Sequence, residues 1–301
     1  MTAFKRILVG LDMSSMDPNL LQYLALFNQS APQAETFFLH VSYAQQLPVM
    51  AGGRYTRELP DQKLIASIHA RLKESMKLEA EEVLPESLKQ GEFTVLAGTI
   101  TREMLEYAHQ QQVDLTILGR KKIHLGSGLA AARFLRNAHC SVLFVPENPP
   151  EDLNHIMVAT DFSDYSVFGV RKAIELAKSL PEAPKITLVH VFDVPTDMAY
   201  KISRTQGQYA KIIRENVELV VTNYLKQFDW LDLEVGTELI ENTHYNAARH
   251  LHEFANAQQP DLMVMGAHGH SSLSAWLLGS LPEKILKYNE DIPLLIVRGE
   301  A

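Results

Sequence analysis

V-M-G-A-H-G-H-S-S-L-S-A-W-L-L-G-S-L-P-E-K occupies Val264 to Lys284. The apolar run Asp261-Leu262-Met263-Val264-Met265 leads into Gly266, Gly269 follows, and nine residues later comes Gly279-Ser280 ahead of an amphipathic run. That order reads as a strand end, a glycine-punctuated loop and a helix start. Glycine lets the backbone turn and approach a ligand closely, and the exposed N–H groups of a helix start attract anions such as phosphate. The stretch therefore predicts an α/β fold with an anion-accepting loop at one strand end.

Working outward, the same strand types occur twice. Ile7-Leu8-Val9-Gly10-Leu11-Asp12 is matched by Ile156-Met157-Val158-Ala159-Thr160-Asp161, and 37–41 by 187–191. The runs 114–119 and 141–145 are matched by 261–266 and 293–297, with all four offsets between 147 and 152 residues. Collinear matches of this kind mark a duplicated domain of ordinary size. Pro146-Glu147-Asn148-Pro149-Pro150-Glu151-Asp152 holds three prolines and no apolar period, so it reads as a stiff linker between domains spanning 1–147 and 153–301.

Helical periods lie between the strands. Val167, Val170, Ile174, Ala177 and Leu180 recur at three- and four-residue steps. So do Ile212, Ile213, Val217, Val220, Val221 and Leu225, and in the first half Leu64, Ile65, Ile68 and Leu72. Each set predicts a helix with one buried face. Strands alternating with helices imply two tandem doubly wound α/β domains, each a five-stranded, mostly parallel sheet with helices on both faces. Ligands of such sheets bind beyond the strand C-termini, where chain order reverses.

Bulk properties narrow the function. The chain has 301 residues, 46% hydrophobic and 21% charged, with 28 Lys and Arg against 36 Asp and Glu, a net charge of −8. This describes a globular protein whose charge argues against nucleic acid as its main partner. The single cysteine, Cys140, excludes an intramolecular disulfide, fits a reducing compartment, and reads as a buried structural thiol. No signal-peptide pattern opens the sequence and no apolar run reaches the ~20 residues of a membrane span, so a cytoplasmic location is expected.

Catalytic patterns are missing. There is no G-x-S-x-G elbow, no G-x-x-x-x-G-K-[ST] loop and no H-E-x-x-H helix. On a helix His250 and His252 face apart, and His268 and His270 sit in the glycine loop as phosphate contacts or surface filler, so no metal site is expected. His40 and His190 end apolar strands and are expected to bond backbone groups. Ser280-Leu281-Pro282-Glu283 looks like a capping box with Ser280 at the N-cap.

Taken together, I-M-V-A-T-D-F-S-D-Y-S (156–166), L-V-H-V (188–191), D-L-M-V-M-G-A-H-G (261–269), G-S-L-P-E-K-I-L (279–286) and P-L-L-I-V (293–297) resemble the universal stress protein family in its tandem form. The first half joins it through I-L-V-G-L-D (7–12), F-L-H-V (38–41), D-L-T-I-L-G-R (114–120) and S-V-L-F-V (141–145). The resemblance implies a strand order of 3-2-1-4-5 and ATP binding, with or without Mg²⁺, in some members. Carried over, it places the nucleotide against Ala159, Thr160, Asp161, Val191 and Met265. Gly266, His268, Gly269, His270, Gly279, Ser280 and Leu281 fall around its phosphates and ribose. It also implies that the last strands of the two domains pair as an internal pseudo-dimer, with room for a further homodimer.

The first half departs from the pattern. Arg120-Lys121-Lys122 follows Gly119, Lys122 replaces the second glycine, the loop to Gly128 is about four residues short, and Leu129 replaces Ser. A Cβ and a long side chain at that glycine obstruct backbone approach to phosphate, so this half is expected not to bind nucleotide. The alternative is that Lys121 and Lys122 hold an anion by charge. For the chain as a whole, the readings are an ATP-binding stress regulator, a nucleotide-independent adaptor, or a slow ATPase.

Overall fold

In a computed structural model of the protein, the described residues are 3–42, 49–51, 54–56, 62–121, 128–194, 206–243, 246–268 and 278–299. The chain divides into two compact units, Thr2–Glu151 and Asp152–Ala301.

The first unit contains β1 (Arg6–Gly10), α1 (Asp17–Asn28), β2 (Glu35–Ser42), β3 (Val49–Ala51), β4 (Arg54–Thr56), α2 (Gln62–Val83) and α3 (Glu86–Lys89). It continues with β5 (Glu92–Ala97), α4 (Ile100–Gln110), β6 (Leu115–Arg120), α5 (Gly128–Asn137) and β7 (Ser141–Pro146). Parallel pairings give the order β7-β6-β1-β2-β5. The second unit has β8 (His155–Ala159), α6 (Ser166–Ser179), β9 (Lys185–Phe192), α7 (Gln206–Leu225), β10 (Val235–Glu241), α8 (Ala247–Gln258), β11 (Leu262–Gly266), α9 (Ser280–Tyr288) and β12 (Leu294–Val297). Its order is β10-β9-β8-β11-β12, again parallel throughout. Numbered along the chain within each sheet, both are 3-2-1-4-5. The antiparallel hairpin of β3 and β4 is an addition within the first unit that the periodicity does not announce.

The pattern of burial explains the pattern of residues. Central strands are apolar on both faces: Ile7, Leu8, Val9, Ile156, Met157, Val158 and Val264 are fully buried. Covered sheets of this kind need helices above and below, and α6 buries Val170, Ala173, Ile174, Leu176 and Ala177. The helices over the sheet margins are wetter than their periodicity suggests. In α2 only Met76 and Ala80 are buried, while Leu64 is 51% exposed and Ile65, Ile68 and Leu72 half-buried. In α7, Val220 is 48% exposed. The reason is position: α2 packs on the edge strand β5, so part of its apolar stripe extends past the sheet.

One repeated polar device sets the register of each sheet. The Asp114 carboxylate accepts the backbone N–H groups of Lys5 (2.8 Å) and Arg6 (3.0 Å) at the start of β1. Asp261 accepts those of Asn154 (2.8 Å) and His155 (2.9 Å) at the start of β8. Charged acceptors make the stronger class of hydrogen bond. Asp261→Ala is therefore expected to lower unfolding stability by about 2 kcal/mol in urea titration, without altering the site at the opposite strand ends. A loss below ~0.5 kcal/mol would show that the pair of bonds contributes little.

Candidate functional site

In the second unit β8 lies between β9 and β11, and the chain reverses its direction of winding there. The ends of β8 and β11 emerge side by side, with Ala159 opposite Met265. This is the crevice where open α/β sheets bind ligands.

On the β8 side a tight turn follows Ala159. Thr160 is buried; its N–H donates to the Val189 carbonyl (3.0 Å), and its own carbonyl lies 2.8 Å from His190 Nδ1. A carbonyl can only accept, so Nδ1 carries the proton. His40 makes the matching bond to the Leu11 carbonyl at 2.9 Å, as expected for both strand-end histidines. Asp161 is half-buried, and its Oδ1 accepts from Ser163 N (3.1 Å) and Ser163 Oγ (2.6 Å). The carboxylate thus shapes its own turn and still stands at the crevice.

Phe162 has φ 61°, a left-handed backbone that bulky residues rarely adopt. Its ring is held between His190 (centroids 4.3 Å apart) and Tyr224 (5.1 Å, edge-on). Conformations of this kind persist only where the surroundings over-determine them.

On the β11 side, Met265 and Gly266 are buried. A Cβ at Gly266 would come within 3.1 Å of the Tyr165 carbonyl oxygen and 3.2 Å of that of His268. Gly169 of α6 faces the same point, its own hypothetical Cβ being 3.2 Å from Gly266 N. Gly266 thus has a packing reason to be glycine, separate from any ligand. Ala267 N bonds the Val297 carbonyl, and Gly279 N bonds the Ala267 carbonyl, each at 2.8 Å. The two ends of the glycine loop are therefore tied together beside β11. His268 is half-buried and meets the Tyr165 ring edge-on at 5.6 Å. Val191 is half-buried near the end of β9. Gly269 and His270 lie outside the described residues.

The predicted capping box is not what starts α9. Gly279, buried and extended at φ −65° and ψ 152°, is the N-cap, and Ser280 is the first helical residue, exposed, with no side-chain cap bond. The helix begins one position early, which moves the Ser280 hydroxyl out of capping geometry. The helix start still leaves N–H donors without an intrahelical acceptor. The N–H groups of Ser280 and Leu281 sit in the first turn, where no carbonyl of the same helix can accept them, and Pro282 has none to offer.

The first unit uses the same turn with different chemistry. Met13 repeats the left-handed backbone at φ 59°. Lys121 Nζ, at the position of His268, bonds Asp12 Oδ2 at 2.6 Å, and Arg120, at the position of Ala267, is buried. Burial raises the Asp12 carboxyl, but hydrogen bonds from Lys121 and Ser14 together with the Lys121 charge outweigh it and leave the group below its usual value. The anion that Lys121 holds is thus the protein's own carboxylate. Lys122 lies outside the described residues, and Gly128 opens α5. At the position of Ser166 stands Asp17, buried in α1 and accepting the N–H groups of Met13 (2.8 Å) and Asp12 (3.4 Å).

The remaining candidates have local structural partners. Cys140 is buried, 3.2 Å from Thr116 Oγ1. His250 Nε2 meets Thr243 Oγ1 at 3.5 Å, whereas His252 Nε2 meets Asn256 Nδ2 at 3.0 Å. Among the described residues no three His, Cys, Asp or Glu side chains gather as a metal-binding set, and no helix is long and apolar enough to cross a membrane. Sequence reading missed Ser166 and Tyr224, which bind the β8 turn from α6 and α7. The signal for Ser166 was its place within T-D-F-S-D-Y-S; Tyr224 lay inside an apolar helical period and carried none.

Comparison with known proteins agrees with this architecture. A universal stress protein of Methanocaldococcus jannaschii is 27% identical over 143 residues, covering 48% of this chain and 81% of that protein. The crystal structure of a universal stress protein from Archaeoglobus fulgidus superposes with a TM-score of 0.61 at 15% identity, covering 99% of this chain and 98% of the other. A functionally unknown protein from Pseudomonas aeruginosa PAO1 gives 0.59 at 14% identity, covering 98% and 92%. The model of the universal stress protein family matches twice, at residues 3–146 and 153–298. With two successive copies of that sequence pattern and two parallel sheets of one strand order, the chain belongs to the universal stress protein family.

Proposed function

We propose that this chain is a stress-response regulator that holds one adenine nucleotide, ATP with Mg²⁺, in its second domain. The domains span 1–147 and 153–301, and the first serves as scaffold. The nucleoside lies against Ala159, Thr160, Asp161, Val191 and Met265. The phosphates lie along Gly266, His268, Gly269, His270, Gly279, Ser280 and Leu281, at the start of α9. The observation that carries this reading is the contrast between the two copies: Lys121 bonds Asp12 in the first, whereas in the second His268 takes the place of Lys121 and packs on Tyr165, and Gly279 caps the helix that follows. That helix start suits an anion, since its N–H groups and dipole both favour negative charge. A half-buried carboxylate suits a ribose hydroxyl or an adenine amino group, both of which donate. The protein works in the cytoplasm.

Mass spectrometry of small molecules released on denaturing the purified protein tests the reading. ATP or AMP is expected in the supernatant, together with a rise in melting temperature in millimolar Mg-ATP. Absence of both would overturn it.

A further inference from the structure

The Asp161 turn is held from beneath by three buried hydroxyls that come from three different elements. Thr160 follows β8, Ser166 starts α6, and Tyr224 lies near the end of α7; all three are buried. Their protons can be assigned one by one. Ser166 Oγ donates to the Ser163 carbonyl at 2.9 Å, so the 2.9 Å contact between Ser166 Oγ and Tyr224 Oη has the tyrosine as donor. Thr160 Oγ1 donates between Ser166 Oγ (3.0 Å) and Tyr224 Oη (3.3 Å), and accepts the Phe162 N–H at 3.2 Å. The hydroxyls therefore hold the backbone that follows Asp161, at Phe162 N and at the Ser163 carbonyl. The Tyr224 ring adds an edge-on contact to Phe162, whose backbone is the left-handed residue of the turn.

We infer that Tyr224 is a positioning residue of the nucleotide site, acting through Ser166 and Thr160 to keep Asp161 in its binding geometry. The inference rests on the second-domain reading above. A strained turn that loses one of its ties spends less time in the competent conformation, and apparent affinity falls by that fraction. Burial holds the phenol above its ordinary pKa against the opposing bonds from Ser166 and Thr160, so it stays protonated and available as a donor. Among its described residues the first unit does not repeat the device. Leu11 and Asp17 stand where Thr160 and Ser166 do, and α2 buries Met76 and Ala80.

Titration calorimetry with Mg-ATP on the full chain tests this. Tyr224→Phe keeps the ring and removes only the hydroxyl; its Kd is expected to rise roughly three- to tenfold, the effect of one hydrogen bond expressed through the turn. Ser166→Ala should weaken binding similarly, and the double variant should lose less than the sum of the two, because both break the Ser166–Tyr224 bond. Val221→Ala, a buried neighbour on α7 without a bond to the turn, should lose stability yet keep Kd within about twofold. Wild-type binding matched by Tyr224→Phe, or equal losses in Val221→Ala, would overturn the inference alone. A wild-type protein that binds no nucleotide would overturn it together with the function it rests on.

Discussion

Asp161→Ala is expected to weaken Mg-ATP binding by about 100-fold, or ~2.7 kcal/mol, while Asp12→Ala leaves affinity unchanged. Two effects combine at Asp161. The carboxylate that would accept hydrogen bonds from the nucleoside is lost, and charged acceptors of this type contribute ~1.5–3 kcal/mol each. Its Oδ1 also holds Ser163 through two bonds, so the turn loosens when it goes. At Asp12 the carboxylate is engaged by Lys121 and the loop beyond it is short and basic, so removing it touches no nucleotide. Titration of the two variants in parallel separates the cases. Equal losses would mean that the two halves contribute alike.

The second large effect is a pH dependence located in the first unit. Asp17 is 4% exposed, and burial, then the neighbouring charge of Asp12, raises its carboxyl from 3.8 to about 6, despite the backbone N–H groups it accepts. Glu79 also faces it and is itself raised, by burial first and by Asp17 next. The folded value lies above the unfolded one. Its stabilising contribution is therefore complete below 3.8 and is lost as pH rises through about 6. Between pH 7 and pH 5 that amounts to about 1–2 kcal/mol gained on acidification. Asp12, with its lowered value, works in the opposite direction at more acidic pH. Asp17→Asn removes the titration and keeps an acceptor for the Met13 N–H. The stability difference between wild type and Asp17→Asn should change by that 1–2 kcal/mol across the interval, measured by urea unfolding. A difference independent of pH would show that the carboxyl titrates normally.

Much of the fold was legible because parallel, doubly covered strands leave a simple trace. Runs such as Ile156-Met157-Val158 and Leu262-Met263-Val264-Met265 are apolar on both faces, and their repetition at a near-constant offset announces a duplicated domain. The β3–β4 hairpin was not read, since two three-residue strands around Gly52-Gly53 leave no periodicity to detect. The marginal helices α2 and α7 show the limit of periodicity: an apolar stripe states what a helix could bury, and the edge of the sheet decides how much it does. The same division runs through the site. Asp161, Gly266 and Gly279 could be picked out because their types and spacing carry the signal. Lys121 on Asp12, Tyr224 beneath Thr160 and the N-cap at Gly279 depend on tertiary placement, which no local pattern encodes.

Two copies of one domain that differ in nucleotide binding give a distinct stoichiometry. Titration of Mg-ATP into nucleotide-free full-length protein should saturate at about one equivalent per chain. Gly279→Val should abolish that binding, while a substitution of Lys121 to Ala leaves the count at one. Two equivalents per chain would mean that both domains bind nucleotide, and none that neither does; either result rules out a single site in the second domain.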